Sequence, residues 1–421
     1  MAFRFIHTAD LHLDSPLRSL SLRNAELAAL VGDASRQALT AIVELALEER
    51  VDAVLIAGDL YDGDQTSMKT ARFLATELER LHRAGIETFI IRGNHDALSK
   101  ITRELLLPPS VMVFDRQAEV VERRFGSLGI AIHGLSFAKS QAPESLLPRY
   151  KSPVPGLINI GLMHTSLAGA PGHDAYAPCS VADLQAYGFD YWALGHIHKR
   201  SHHNGNGHIV MAGIPQGRDI NEDGAKSVSL VTVRDDRTIA IEERHVAVAQ
   251  FERVAVDLNG TEDWRDAISR ISDAVASARD RIVSPHLVAR LRLTGATPLS
   301  FRLRRDPDLL LAEAEQRAEQ IGSAWIEKIE LETHSGEEEG AQSADPVAEL
   351  AALMRDRILT GPGYRESLRQ LTEELLDDLP PESRSFAGSD ESAFAAFLDQ
   401  LSTEATETII ARMKTAERSD G

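Results

Sequence analysis

Short apolar runs alternating with amphipathic stretches organise the first half of the chain. Phe3 to His7 reads as a buried strand, and Asp33 to Glu49 as a helix with apolar residues at helical spacing. Val51 to Ala57 is the next strand. A helix from about Ser67 to Ala84 then leads into a third strand, Glu87 to Ile91, which stops at Gly93-Asn94. This β-α-β-α-β rhythm continues into strands expected at 111–114, 119–122, 128–133, 157–163 and 190–194, with the polar loop Pro143 to Pro155 between two of them. A final hairpin, His208 to Ala212 with Ser227 to Val233, is expected to close the sheet region.

From Phe251 the pattern restarts as strand 251–258, amphipathic helix 262–279, strand 286–294, helix 306–321 and strand 324–332, a compact second domain. His334 to Asp345, with Ser335-Gly336-Glu337-Glu338-Glu339-Gly340, has linker composition. Segments 346–358, 364–378 and 390–415 read as helices separated by Gly361-Pro362-Gly363 and Pro380-Pro381. The expected division is therefore a domain over 1–250, a second over 251–335, a linker at 336–346 and an acidic helical region over 347–421. There is no repeat of solenoid period.

Composition narrows the classes. A chain of 421 residues has ample material for two or three units. Its single cysteine, Cys179, excludes an internal disulfide and a cysteine zinc site and is compatible with the reducing cytosol, the expected compartment. The N-terminal residues lack the charge and apolar pattern of a secretory leader, and no run is apolar enough to span a bilayer, so no membrane association is expected. The net charge of −19 argues against gripping nucleic acid by bulk positive charge. That objection weakens once the charge is located, because residues 337–421 hold 19 acidic and 8 basic side chains and so most of the negative excess.

The chemistry lies where strands end. Asp10-Leu11-His12, Gly58-Asp59, Gly93-Asn94-His95-Asp96, His164 and Gly195-His196-Ile197-His198 each follow an apolar run, where layered α/β folds place ligands. Carboxylate, imidazole and amide oxygen together suit hard divalent cations such as Mn²⁺. Asp59 is the best candidate to bridge two of them, since Gly58 permits close backbone approach and a carboxylate offers two oxygens. Asp10 and His12 are expected to alternate along an extended chain, with Leu11 pointing away, so that both reach one cation; His196 and His198 are expected to repeat that geometry, one to each cation. Asn94 can offer a neutral oxygen. His95 is then free to protonate or stabilise the departing oxygen of a phosphoester, with Asp96 orienting it.

This ordered set resembles the calcineurin-like metallophosphoesterase superfamily over residues 1 to about 235. The strings His7-Thr8-Ala9-Asp10-Leu11-His12-Leu13-Asp14 and Tyr191-Trp192-Ala193-Leu194-Gly195-His196-Ile197-His198-Lys199 resemble its DNA repair exonuclease branch, which contains SbcD and YhaO, and Pro215-Gln216-Gly217-Arg218 is similar to the YhaO-like members. The resemblance implies an α/β fold, a four-layer α-β-β-α sandwich with a smaller α+β cap domain and a helical C-terminal tail. It implies that Asp10, His12, Asp59 and His198 hold one metal, that Asp59, Asn94, His164 and His196 hold the other, and that His95 is catalytic. It also implies two Mn²⁺ ions, 3′-to-5′ exonuclease and single-strand endonuclease activity on DNA, and an SMC-like coiled-coil ATPase partner for which the C-terminal helices are the candidate dock. Homodimerisation is left open. Some relatives carry a histidine where this chain has Asp62, which puts the rate and the exact substrate in question.

Asp62, Lys199 and Arg218 are candidates for substrate contact near the metals. His133 reads as a hydrogen-bonded core residue, His173, His202, His203 and His208 as exposed loop residues, and Cys179 as a small buried hydrophobe. Two rival readings share the ligand set. One is a phosphodiesterase or phosphatase on small substrates, favoured by net acidity and few aromatics for base stacking. The other is an inactive scaffold for an ATPase, disfavoured because a scaffold needs no cations.

Overall fold

The apolar residues of the strands at 3–8, 53–57, 87–91, 158–164 and 191–195 are buried on both faces of a sheet, which explains why these strands read as continuous runs. The computed structural model describes residues 2–15, 25–62, 67–97, 106–167, 176–335, 346–379, 387–388 and 390–416. They form two compact units, residues 1–252 with 278–288 and residues 253–277 with 289–421.

In the first unit, one sheet is built on β1 (Phe3–Thr8), β2 (Ala53–Ala57), β3 (Glu87–Ile91) and β4 (Val111–Val113), paired parallel to one another in that order. The other comprises β5 (Glu119–Phe125), β6 (Leu128–Gly134), β7 (Ile158–His164), β8 (Tyr191–Gly195), β9 (Ser201–Asn204) and β10 (His208–Met211), in the spatial order β5-β6-β7-β8-β10-β9. Phe3, Phe5, Leu55 and Phe89 face Ile130, Ile160, Leu162 and Tyr191 in a core between the sheets, and Phe5 meets Tyr191 edge-on at 5.3 Å. On the outer face of the first sheet, Ile6, Val54 and Ile56 pack against Leu39, Ile42 and Val43 of α1 (Ala25–Glu48) and Leu74 and Leu78 of α2 (Met68–Arg83). The second sheet's outer face, with Trp192 and Leu194, is covered by Leu184 of the short α3 (Val181–Tyr187). Helix, sheet, sheet and helix give the expected layers.

Three details differ from the sequence expectations. The first helix begins earlier, at Ala25, because Leu27 and Val31 extend its buried stripe. The expected hairpin does not form. β10 lies parallel to β8, while β11 (Ser227–Val233) crosses to the other sheet, antiparallel to both β1 and β12 (Ile239–His245). The antiparallel partner of β10 is β9, whose sequence Ser-His-His-Asn has no apolar pattern to reveal it.

The remaining sheet has three strands, β13 (Ala249–Asp257), β14 (His286–Ala296) and β15 (Ala324–His334), and is followed or interleaved in the chain by helices α4 (Trp264–Arg281), α5 (Ser300–Arg305) and α6 (Pro307–Ile321). The expected helix at 346–358 is α-helical only as α7 (Pro346–Leu353) and continues as a π-turn over Met354–Ile358. Helices α8 (Pro362–Asp378) and α9 (Glu391–Ala416) follow, and Ile410 packs on Val347 and Ala351. Of the expected linker at 336–346, residues 336–345 lie outside the described residues and Pro346 already begins α7. Among those residues no helix is long and apolar enough to cross a membrane.

Candidate metal centre

The pairing of β1 with β2 persists beyond the strand ends. The amides of Asp10, His12 and Leu13 donate to the carbonyls of Gly58, Asp59 and Leu60 at 3.0, 3.1 and 2.9 Å. The backbone there is not extended, contrary to the sequence expectation: Asp10, His12 and Asp59 have φ of 53°, 41° and 53°, and His196 has 101°. Left-handed kinks, not strand alternation, turn these side chains inward. Each costs of the order of 1–3 kcal/mol for a residue with a Cβ and persists only where the surroundings enforce it. Room for the convergence comes from glycines. A Cβ on Gly58 would lie 2.5 Å from His164 Nδ1, and one on Gly93 would collide with Asp59 Oδ1 and His164 Nε2.

Asp59, Asn94, His164 and His196 meet in one cluster. His164 Nδ1 donates to the Ala57 carbonyl at 2.9 Å, which leaves its Nε2 facing Asn94 Oδ1 at 2.9 Å and Asp59 Oδ2 at 3.2 Å. His196 Nδ1 lies 3.2 Å from the same Asn94 oxygen. Asp10, His12 and His198 form a second cluster. His12 Nδ1 donates to Asp62 at 2.5 Å and His198 Nδ1 to Glu222 at 2.6 Å, so the two Nε2 atoms confront each other at 3.1 Å. Asp59 Oδ2, 4.0 Å from His12 Nε2, reaches toward both clusters.

Lone pairs aimed at one another are unfavourable unless positive charge lies between them. Burial disfavours protonation of His164, yet Asp59 and Asp10 outweigh it and raise its pKa to about 9. Burial likewise opposes ionisation of Asp59, but the imidazoles of His164 and His12 hold its carboxyl well below the usual range. Imidazole, carboxylate and amide oxygen at these spacings fit divalent cations, with Asp59 positioned to share both.

The remaining predicted residues fall in different places. His95 donates its backbone N–H to Asp59 Oδ1 at 3.0 Å and leaves its ring 44% exposed, open to a substrate. Asp96 does not orient it. Its carboxylate is fully buried and accepts the amides of Gly93 at 2.6 Å and Leu60 at 3.1 Å, so it braces the loop; burial first, and then Asp59, raise its pKa to about 7. The carboxylate nearest the His95 ring is that of Asp62, 3.5 Å from Nδ1. Asp62, expected at the substrate, instead holds His12 and Ser15. Arg218 is also committed inward, to Glu222 and, at 3.6 Å, to Asp62. Lys199 is exposed and lines a cavity of about 210 Å³ beside His198, together with Arg200 and Lys226. Sequence reasoning missed Glu222; its one signal is its i+4 spacing from Arg218. His133 is tied to Asn159 at 2.9 Å, away from the centre, Cys179 is buried, and His202 pairs with His208 at 3.2 Å on the surface. His173 lies outside the described residues.

Residues 3–200 match the family described as calcineurin-like phosphoesterase, and residues 251–334 match the one described as metallophosphoesterase YhaO, middle domain. The chain is 33% identical over 341 residues to the uncharacterized metallophosphoesterase YhaO of Bacillus subtilis, covering 79% of this chain and 82% of that protein. It is 27% identical over 309 residues to the D subunit of the nuclease SbcCD of Escherichia coli, covering 62% of this chain and 74% of that protein. It is also 29% identical over 205 residues to the DNA double-strand break repair protein Mre11 of Sulfurisphaera tokodaii, covering 47% of this chain and 49% of the relative.

Proposed function

Because the chain belongs to the calcineurin-like metallophosphoesterase family, we propose that its reaction is hydrolysis of phosphodiester bonds in DNA, exonucleolytic from the 3′ end and dependent on two Mn²⁺ ions. The observation that carries the two-cation part is Asp59 Oδ2, 3.2 Å from His164 Nε2 in one donor cluster and 4.0 Å from His12 Nε2 in the other. Asp10, His12, Asp59 and His198 would hold one cation, and Asp59, Asn94, His164 and His196 the other. When bound, the cations supply Lewis-acid clamping of the phosphate and an activated water. His95 protonates or stabilises the departing oxygen, and Asp62, 3.5 Å away, orients its ring. The likeness to the SbcCD nuclease and to Mre11 supports DNA as substrate. A coiled-coil ATPase partner belongs to the same proposal, supported by the description of one relative as a subunit of a nuclease. So does the division into domains at 1–250 and 251–335, supported by the match over 251–334.

The net charge of −19 favours a second reading, hydrolysis of a small phosphodiester. End-labelled linear DNA and bis-p-nitrophenyl phosphate, each with Mn²⁺, separate the two when run on the native chain, His95→Ala and Asp59→Ala. The DNA reading expects native protein to cut both substrates and the variants to fail on DNA. Cleavage of the small ester alone, even with the ATPase present, overturns it.

A further inference from the structure

Behind the His12–His198 pair lies an array that no ligand motif announces. Glu222 Oε1 accepts the His198 Nδ1 proton at 2.6 Å, and the same carboxylate receives Arg218 Nη2 at 2.6 Å, Nε at 3.1 and 3.2 Å and the Arg218 amide at 2.8 Å. The guanidinium then reaches Asp62 Oδ2 at 3.6 Å, whose other oxygen holds His12 Nδ1. One arginine thus joins the two carboxylates that hold the two facing imidazoles.

The segment is rigid for local reasons. Glu222 ends a one-turn 3₁₀ helix, Ile220–Glu222, started by Asp219, whose side chain accepts the Asn221 amide at 2.7 Å. Buried Gln216 fastens the preceding chain by donating to the Ala249 carbonyl at 2.8 Å and accepting the Val248 amide at 2.9 Å. The Ile214 amide donates to the His198 carbonyl at 3.0 Å. An exposed i,i+4 ion pair contributes almost nothing, but Arg218 and Glu222 are only 28% and 11% exposed, and Glu222 is shared with a histidine. Four carboxylates, of Asp10, Asp59, Asp62 and Glu222, crowd this region, and a forked, permanently charged side chain can hold the outer two apart from the inner two.

We infer that Arg218, acting through Glu222 and Asp62, is a positioning residue that fixes the imidazoles of His198 and His12 and so sets the affinity of the cation site between them. This rests on the two-cation reading above. It assigns Arg218 to the metal site and not to the phosphate of a substrate. Removing a partner that orients a ligating histidine weakens metal binding by about 10- to 100-fold.

The test needs no substrate. Full-length protein stripped by chelation is titrated with Mn²⁺, with calorimetry giving the two affinities and electron paramagnetic resonance counting bound ions, for the native chain, Arg218→Met, Arg218→Lys and Glu222→Gln. The expected result is that Arg218→Met and Glu222→Gln weaken one site about 10- to 100-fold while the other stays within about twofold, and that Arg218→Lys, with the charge but not the fork, fails to restore it. Native affinity in Arg218→Met of unchanged thermal stability overturns the inference, and so does full rescue by lysine, which would reduce the effect to charge. If Arg218→Met does not fold, Arg218→Lys and Glu222→Gln carry the same test. Native protein that takes up no Mn²⁺ overturns the two-cation reading itself, a separate outcome.

Discussion

His12 and His198 face each other Nε2 to Nε2 at 3.1 Å, each with its Nδ1 already committed to a carboxylate. Neither ring can turn away without abandoning that carboxylate, so with both Nε2 atoms unprotonated the pair is repulsive, and a cation or a shared proton between them relieves it. Cation binding should therefore stabilise the fold. Free Mn²⁺ at about 100 times its Kd should add roughly 2.7 kcal/mol to unfolding, read as a rise in urea midpoint, and chelator should remove it. In Asp59→Ala the rise should largely vanish, because both clusters lose a shared donor. An equal rise in that variant would place the cations elsewhere.

His95 sits with its ring open while its backbone is pinned to Asp59. An acid that assists a departing oxygen matters most when that oxygen is basic. His95→Ala should lower kcat on DNA by about 10²- to 10⁴-fold yet cost far less on bis-p-nitrophenyl phosphate, whose leaving group needs no proton. Mn²⁺ affinity should not change. Equal losses on both substrates would assign His95 to binding or to metal placement.

Beside His198, Lys199 is exposed, Lys226 Nζ rests on the Asp223 carbonyl at 2.7 Å and Arg200 is held by Ser229 at 2.7 Å, so with Arg218 turned inward Lys199, and Lys226 on leaving that carbonyl, are placed to meet a flanking phosphate. Lys199→Ala and Lys226→Ala should raise KM for polynucleotide with little change in kcat. The slope of log KM against log salt should fall by about 0.7–0.9 for each phosphate left without its cation. The small ester should be indifferent. A loss of kcat instead would point to disturbance of His198.

His7 lies fully buried between the Tyr191 hydroxyl at 3.0 Å and the Leu194 carbonyl at 3.2 Å. Burial first, and then the charge of Arg200, lower its pKa from 6.5 to about 3. The folded chain refuses a proton that the unfolded chain accepts, so this contribution is intact above pH 6.5 and is lost as pH falls from 6.5 toward 3. Across that window His7 should contribute up to about 1.4 kcal/mol of lost stability per pH unit. In His7→Phe the acid-side slope from urea melts should be shallower by that amount, although the variant starts less stable. Parallel slopes would count against the assignment.

Much of the candidate centre is readable because its donor residues follow strands that announce themselves. Ala53 to Ala57 is wholly apolar and buried, and Phe3 to Thr8 and Glu87 to Ile91 bury all but Arg4 and Glu87, so their ends, and the candidate donors just past them, are legible. The pairing of β10 and β11 is not, since two apolar runs close in sequence look like a hairpin whether they pair or cross between sheets. Nor is the left-handed backbone at Asp10 and His12, because nothing in Asp-Leu-His distinguishes a kink from a strand. Glu222 and the bracing role of Asp96 stay hidden for a common reason. Both depend on contacts between segments distant in the chain, and acidic residues in polar loops are common enough to carry no signal alone.

The close approach at Gly93 has a consequence of its own. This residue donates nothing to the centre, yet the space a methyl group would need is already taken by Asp59 and His164. Gly93→Ala would be a chain with every donor atom still encoded and no room to assemble them. An inventory of ligand residues would score such a chain as complete, which makes an absent side chain as much a part of this centre's specification as any histidine in it.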